Sequence, residues 1–356
     1  MRRLTLATLL LSGCFDWDVL SSNVVEPDLS VLDDLSVPVD MSVADLSRAD
    51  LAVPPDLTKP DMALPVTNVT KQADPTKFSG KKPNNAIFGW NTQNITAVGD
   101  GGVVVTTTDG TNWTLVTISG GFTQNIQDVW FSGDGSTGWF VGAGTSAYQW
   151  TSAGNSWQSK NAGLGGVLYS VFGTANDKVA SAGDQNNKLY RFVTSWANDN
   201  NTPNYGSTQN GLWGTGANFY SVSSAGADCL LITDAAITKV SCGTNGTLET
   251  VWGVDMMNVF AAGYENNTGI VSKYGGSSWK KEPIPTVGKL WSVWAAGSKD
   301  VWVGGEAATL LHYDGTSWTQ HNAVGMGATE TIKDIWGADA NNVWFLTDAG
   351  NIYKKN

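Results

Sequence analysis

Catalytic and ionic chemistry is scarce in this chain. Of 356 residues only 2 are histidine and 3 are cysteine, and 15% are charged. Arg191 is the only arginine beyond Arg48. No HExxH helix, no His/Cys cluster at metal-ligand spacing, no GxSxG elbow and no phosphate-cradling glycine loop occurs, which removes zinc hydrolases, elbow-type serine hydrolases and P-loop enzymes from consideration. His312 and His321 lie close together, His312 beside a Tyr313-Asp314-Gly315 turn where a surface position is expected. The net charge of −11 lacks the cationic footprint that nucleic-acid binding requires. The apolar run Leu4 to Leu11 falls short of the ~20 residues needed to span a bilayer. Accordingly no catalytic residue, metal ligand or cofactor is assigned.

What the chain does have is self-similarity at a fixed period, which outranks local propensity as evidence. An apolar-aromatic pair recurs as Ile87-Phe88, Val129-Trp130, Val171-Phe172, Leu212-Trp213, Val251-Trp252, Val293-Trp294 and Ile335-Trp336. A second apolar run follows at Ile95, Trp139, Val179, Phe219, Phe260, Trp302 and Trp344. A further tryptophan comes after a Gly/Asp/Ser turn at Trp113, Trp157, Trp196, Trp279 and Trp318. β-branched and aromatic residues dominate these runs, and no 3.6-residue stripe is sustained. Seven copies of about 40 residues, each a set of short strands, predict an all-β, seven-bladed β-propeller of four-stranded blades. The last copy ends at Asn356 after three strands, which would leave an open edge prone to wrong pairing. The segment 67–76, just ahead of the first copy, is expected to supply the missing strand, giving a propeller over 67–356.

The N-terminus is a different material. Basic Met1-Arg2-Arg3, the apolar run and Leu11-Ser12-Gly13-Cys14 resemble a bacterial lipoprotein signal, implying removal of residues 1–13 and a lipid on Cys14. Phe15, where an Asp would retain such a protein at the inner membrane, implies an outer-membrane destination, with the cell surface one option. Asp-Leu/Met-Ser/Ala/Thr units recur every five or six residues from Asp28 to Asp61, interspersed with Pro38, Pro54, Pro55, Pro60 and Pro65. Such a composition breaks helices and cannot fill a core, so residues 14–66 are expected to be a disordered acidic tether. Residues 15–75 carry a net charge of −9, leaving −4 for residues 76–356.

Cys229 and Cys242 flank an Asp234-Ala235-Ala236 turn symmetrically, so they are expected opposite one another and able to form a disulfide in an oxidising envelope. Two unpaired core thiols remain the alternative. Most of the 17 tryptophans occupy repeating anchor positions, where packing explains them. Function is therefore sought where the repeat varies. Two residues before each apolar anchor stand Asn85, Gln127, Tyr169, Asn210, Glu249, Trp291 and Lys333. This series is expected to ring one mouth of a central channel, with the Asn-rich stretch 198–210 beside it, and to suit a neutral polar ligand.

The copies, with a core near VWG…DVWAVG…GTLLHYDGTSW, resemble the Trp-rich repeats of bacterial envelope lipoprotein propellers. They are distantly similar to BNR/Asp-box, PilY-type and photosystem II assembly-factor propellers. Asp-box sialidases clamp a substrate carboxylate with three arginines, and a propeller holding Arg191 alone departs from that pattern. The resemblance implies a fold and no catalytic residue. The sequence thus reads as a monomeric, non-catalytic envelope module. It would bind a protein partner or, as the alternative, polysaccharide, and meet the membrane only through its lipid.

Overall fold

The structure, a computed structural model, describes residues 63–356 apart from 119–120, 145, 162–165, 176–177, 184–188, 193, 199–206 and 225–227. The signal segment, Cys14, nearly all of the tether and most of the 198–210 loop lie outside the described residues. Ala63–Asn356 is one compact unit. No helix among the described residues is long and apolar enough to cross a membrane.

The unit is an all-β propeller of four-stranded blades. Strand β1 (Val66–Ala73) comes first. The first meander is β2 (Ala86–Gly89), β3 (Ile95–Gly99), β4 (Val103–Thr107) and β5 (Trp113–Val116). The second is β6 (Ile126–Phe131), β7 (Thr137–Gly142), β8 (Ala147–Thr151) and β9 (Ser156–Ser159). The third is β10 (Leu168–Ala175), β11 (Lys178–Gly183), β12 (Leu189–Phe192) and β13 (Trp196–Asn198). The fourth is β14 (Gln209–Thr215), β15 (Asn218–Ser223), β16 (Asp228–Ile232) and β17 (Ile237–Ser241). The fifth is β18 (Thr247–Asp255), β19 (Asn258–Glu265), β20 (Thr268–Tyr274) and β21 (Trp279–Lys281). Then follow β22 (Leu290–Gly297), β23 (Asp300–Gly305), β24 (Leu310–Tyr313) and β25 (Trp318–Val324), and finally β26 (Ile332–Asp339), β27 (Asn342–Thr347) and β28 (Ile352–Lys355).

Each apolar-aromatic pair lies on the first, innermost strand of its meander, and each post-turn tryptophan is the first or second residue of a fourth strand. Neighbouring inner strands pack in the order β2, β6, β10, β14, β18, β22, β26, and β26 packs back on β2. Buried side chains cluster between adjacent sheets: Trp336 and Trp344 of the last meander join Ile87, Ile95 and Trp113 of the first. The anchor rings follow two fates. Trp130 lies on Gly173 and Trp213 on Gly253 of the next meander, and a Cβ at either glycine would overlap the indole. Phe88, Phe172 and Trp252 instead turn toward one another, with ring centroids 6.0 to 6.4 Å apart.

Three expectations are corrected by the strand registers. Seven four-stranded blades were expected; the strands form five four-stranded sheets and one eight-stranded sheet. The reason is β1. It pairs antiparallel with β28 through Val69↔Lys355 to Ala73↔Ile352, and its first residues also pair parallel with β25 through Val66↔Asn322 to Asn68↔Val324, fusing two meanders. This strand ends at Ala73 rather than at residue 76. Asp74 caps a 3-10 turn over Pro75–Phe78, and Pro75 has no N–H to continue a ladder. The two cysteines are not directly opposite: Cys229 pairs with Val240, because the turn closes between Thr233 and Ala236. Cys242, one residue past β17, still bonds Cys229 with a Cα–Cα distance of 5.2 Å, and both are fully buried.

Candidate functional site

All seven residues of the varying series line one cavity of about 690 Å³ at the inner-strand entrances, part of it open to solvent. The ladder register shows why they face it. Gln127, Tyr169, Asn210, Glu249, Trp291 and Lys333 each fall at a register shift, skipped between paired neighbours such as Leu168/Ser170 or Ile332/Asp334. A β-bulge adds one unpaired residue and re-aims its side chain. Asn85 immediately precedes β2 in the equivalent place, its N–H donating to Val98 O. Repetition of one backbone irregularity thus builds a ring of unlike side chains.

The seven are not equally free. Asn85 Nδ2 donates to Ile126 O at 2.7 Å and Asn210 Nδ2 to Leu248 O at 3.1 Å, so both amides clamp neighbouring sheets. Asn210 also donates to Glu249 Oε2 at 3.1 Å. Burial raises the Glu249 pKa, opposed by Lys333, a Tyr264 hydrogen bond and Lys289. Burial lowers that of Lys333, opposed by Glu249 and three aspartates. The Lys333 ammonium sits 3.8 Å from the centre of the Trp291 ring, a cation–π contact. Trp291 is half-buried and its ring also lies 6.0 Å from Tyr264, so it is largely packing. Tyr169, by contrast, is 36% exposed, an aromatic left available in the mouth.

Two carboxylates that the sequence reading did not select lie one residue deeper in the wall. Asp128 accepts hydrogen bonds from the N–H groups of Val129 and Val171, both at 2.8 Å, and from the Ser170 hydroxyl at 3.0 Å. Asp334 accepts from the N–H groups of Ile87 at 2.8 Å and Ile335 at 2.9 Å, and from Ser292 at 3.1 Å. Each therefore ties its inner strand to a neighbour. Burial pushes both pKa values up to about 7 against these donors, and the Asp128 charge adds to the effect on Asp334. Below them Phe88, Phe172 and Trp252 close the axis. The same rings line a second, solvent-open hollow on their far side, rimmed by Trp90, Asn91, Ser132 and Thr174 and free of charged side chains among the described residues.

The turn aspartates are structural. Asp314 accepts the N–H groups of Thr316 and Ser317 at 2.7 and 2.8 Å, and those bonds hold its pKa below the usual range. His312 is not on the surface as expected. It lies on β24, half-buried, its ring stacked 4.2 Å from Trp302 and its Nε2 2.8 Å from Asp300. No group of three His, Cys, Asp or Glu able to hold a metal occurs among the described residues.

No protein-family model matches the chain, and no curated protein does. Solved structures do. YCF48 from Cyanidioschyzon merolae is similar with a TM-score of 0.64 at 14% identity, over 81% of this chain and 98% of that one. YCF48 bound to a D1 peptide gives 0.64 at 15%, over 82% and 99%. The WD40 β-propeller domain of Doa1 gives 0.63 at 12%, over 81% and 97%. At these identities the likeness concerns the fold.

Proposed function

We propose that this chain is a non-catalytic, lipid-anchored binding module of the cell envelope, a seven-bladed propeller that docks a protein segment at the bulge-built mouth. In this reading the eight-stranded sheet is two blades joined at their outer edges. Cys14 carries the lipid, residues 14–66 hold the propeller off an outer membrane as a disordered tether, and the propeller acts as a monomer. The observation that carries the reading is the convergence of seven side chains of six kinds, from one repeat position, on a single open cavity. A ring with few charges and several amides suits peptide backbone and polar side chains. The similar fold of YCF48 is seen with a D1 peptide, which supports the choice of a protein partner.

The exposed Tyr169 keeps a polysaccharide ligand as the second reading, because a sugar face stacks on an open aromatic ring. A fluorescence screen of the protein against envelope-protein peptides and polysaccharides separates the two. Saturable binding of a peptide that Tyr169→Ala and Gln127→Ala weaken at least tenfold supports docking at the mouth. The same loss seen with glycans alone moves the function to carbohydrate, and binding indifferent to both substitutions refutes the mouth as the site. Cys14→Ser should move the protein from the membrane to the soluble fraction; unchanged membrane association would refute lipid anchoring.

A further inference from the structure

Between the ring of bulged residues and the aromatic rings that close the axis, the cavity wall changes character. Asp128 on β6 and Asp334 on β26 stand on either side of β2, the strand that carries Phe88. Among the described residues no lysine or arginine nitrogen lies within 4.0 Å of either carboxylate; the ion pairs lie elsewhere, at Asp228, Asp234, Glu265 and Asp300. Their hydrogen bonds come from backbone N–H groups and serine hydroxyls, which leave the negative charge uncancelled. The other charged groups facing the cavity are Glu249 and Lys333. Lys333 is held over the Trp291 ring, so the protein's own cation does not reach an ion pair with either aspartate. With all three carboxyls ionised the cavity is negative, and its floor is aromatic: Phe88, Phe172 and Trp252.

Carboxylates beside aromatic faces attract an organic cation by charge and by the ring quadrupole together. A divalent metal is the poorer match, because it demands several oxygens freed from N–H donors, and these are occupied. We propose that the channel floor binds a primary ammonium group, and that the docked segment of the partner inserts a lysine side chain past Tyr169 and Gln127 to reach it. This deepens the docking reading and rests on it. The neutral part of the ring contacts the segment, and the floor selects the residue at its tip.

The test uses the full chain and n-butylammonium chloride as probe, titrated calorimetrically, with 1-butanol as the uncharged match and sodium chloride as the ionic control. At pH 8 the ammonium should bind saturably while butanol and sodium do not. Binding should weaken at least tenfold at pH 5.5, because both aspartates carry protons there. It should release protons near pH 7, seen as a dependence of the observed heat on buffer ionisation enthalpy. Asp128→Asn with Asp334→Asn should abolish binding, and Trp252→Leu, which leaves both carboxyls in place, should weaken it severalfold. Thr70→Ala, exposed on β1 and away from the cavity, should leave it within twofold, and because the probe carries no peptide segment, failure at the floor is distinguishable from failure of docking at the rim. Absence of binding to the folded protein, equal binding of butanol, or heats independent of buffer would overturn the proposal.

Discussion

Strand β1 offers the most direct test of how the unit is held together. Its burial alternates, with Thr67 and Val69 inside and Val66, Asn68 and Thr70 outside. Val69 is 5% exposed and packs in the cluster of Trp294, Trp302, Phe345 and Tyr353, which joins the last two meanders. Val69→Ala removes two methyl groups, about 1.6 kcal/mol at ~0.8 kcal/mol per buried carbon. The partly relaxed void adds to this, for a total of about 2–3 kcal/mol. Thr70 lies next to it in the same ladder but faces solvent, its hydroxyl reaching Asn356 Oδ1 at 2.8 Å. Thr70→Ala should cost less than about 0.5 kcal/mol, as exposed substitutions do. Urea unfolding followed by tryptophan fluorescence measures both. If Val69→Ala falls within 0.5 kcal/mol of wild type, or the two variants behave alike, β1 is not part of the cooperative core. Deleting residues 67–76 removes both ladders of β1 and should lower the melting temperature sharply.

Gly173→Ala sets a Cβ into the Trp130 ring and should destabilise by about 1–3 kcal/mol, whereas Gly133→Ala, with no atom near its new Cβ, should be neutral in the same unfolding assay. Cys229→Ala with Cys242→Ala opens a short loop and should cost about 3 kcal/mol; reduced and oxidised wild type with equal melting temperatures would contradict this. His321, whose Nδ1 lies 2.9 Å from the Thr67 hydroxyl on β1, has its pKa lowered by burial and by nearby His312 and Lys355. The unfolded chain then binds the proton more readily, so this contribution is present above the ordinary histidine pKa and is lost as pH falls through and below it. His321→Gln should flatten the fall in melting temperature between pH 7 and pH 5, relative to wild type.

The inner strands were legible because their anchors are large and evenly spaced, and five of the fourth strands because a tryptophan after a turn stands at or next to their start. Packing demands of that kind leave a strong periodic trace. The ring at the mouth was legible only as a series of positions, since unlike residues at one register are visible once the copies are aligned. Why they face the channel was not, because a bulge is a matter of ladder register and changes no residue type. Asp128 and Asp334 were overlooked although they share one column with Ala86, Ser170, Gly211, Thr250 and Ser292. That column mixes small, polar and acidic residues, and its alternation of acceptor with hydroxyl or bare N–H is the signal that pairs neighbours. The parallel pairing of β1 with β25 joins residues over 250 positions apart, and no local pattern encodes so remote a contact. The cysteine register slipped for a similar reason: the hydroxyl of Thr233, not the centre of the Asp-Ala-Ala sequence, sets where the hairpin closes.

The placing of β1 also governs when the protein can be finished during synthesis. Among the described strands β1 leaves the ribosome first and β28 last. The six meanders between can form one after another as they emerge, each with its own local partners, but β1 must wait without its antiparallel partner until β28 is made. A chain stopped before Ile352 would leave β27 and β1 with bare edges, the kind of surface that other strands and quality-control factors recognise. Closure of the unit therefore waits on the pairing of its first and last described strands, and is read out by one short strand.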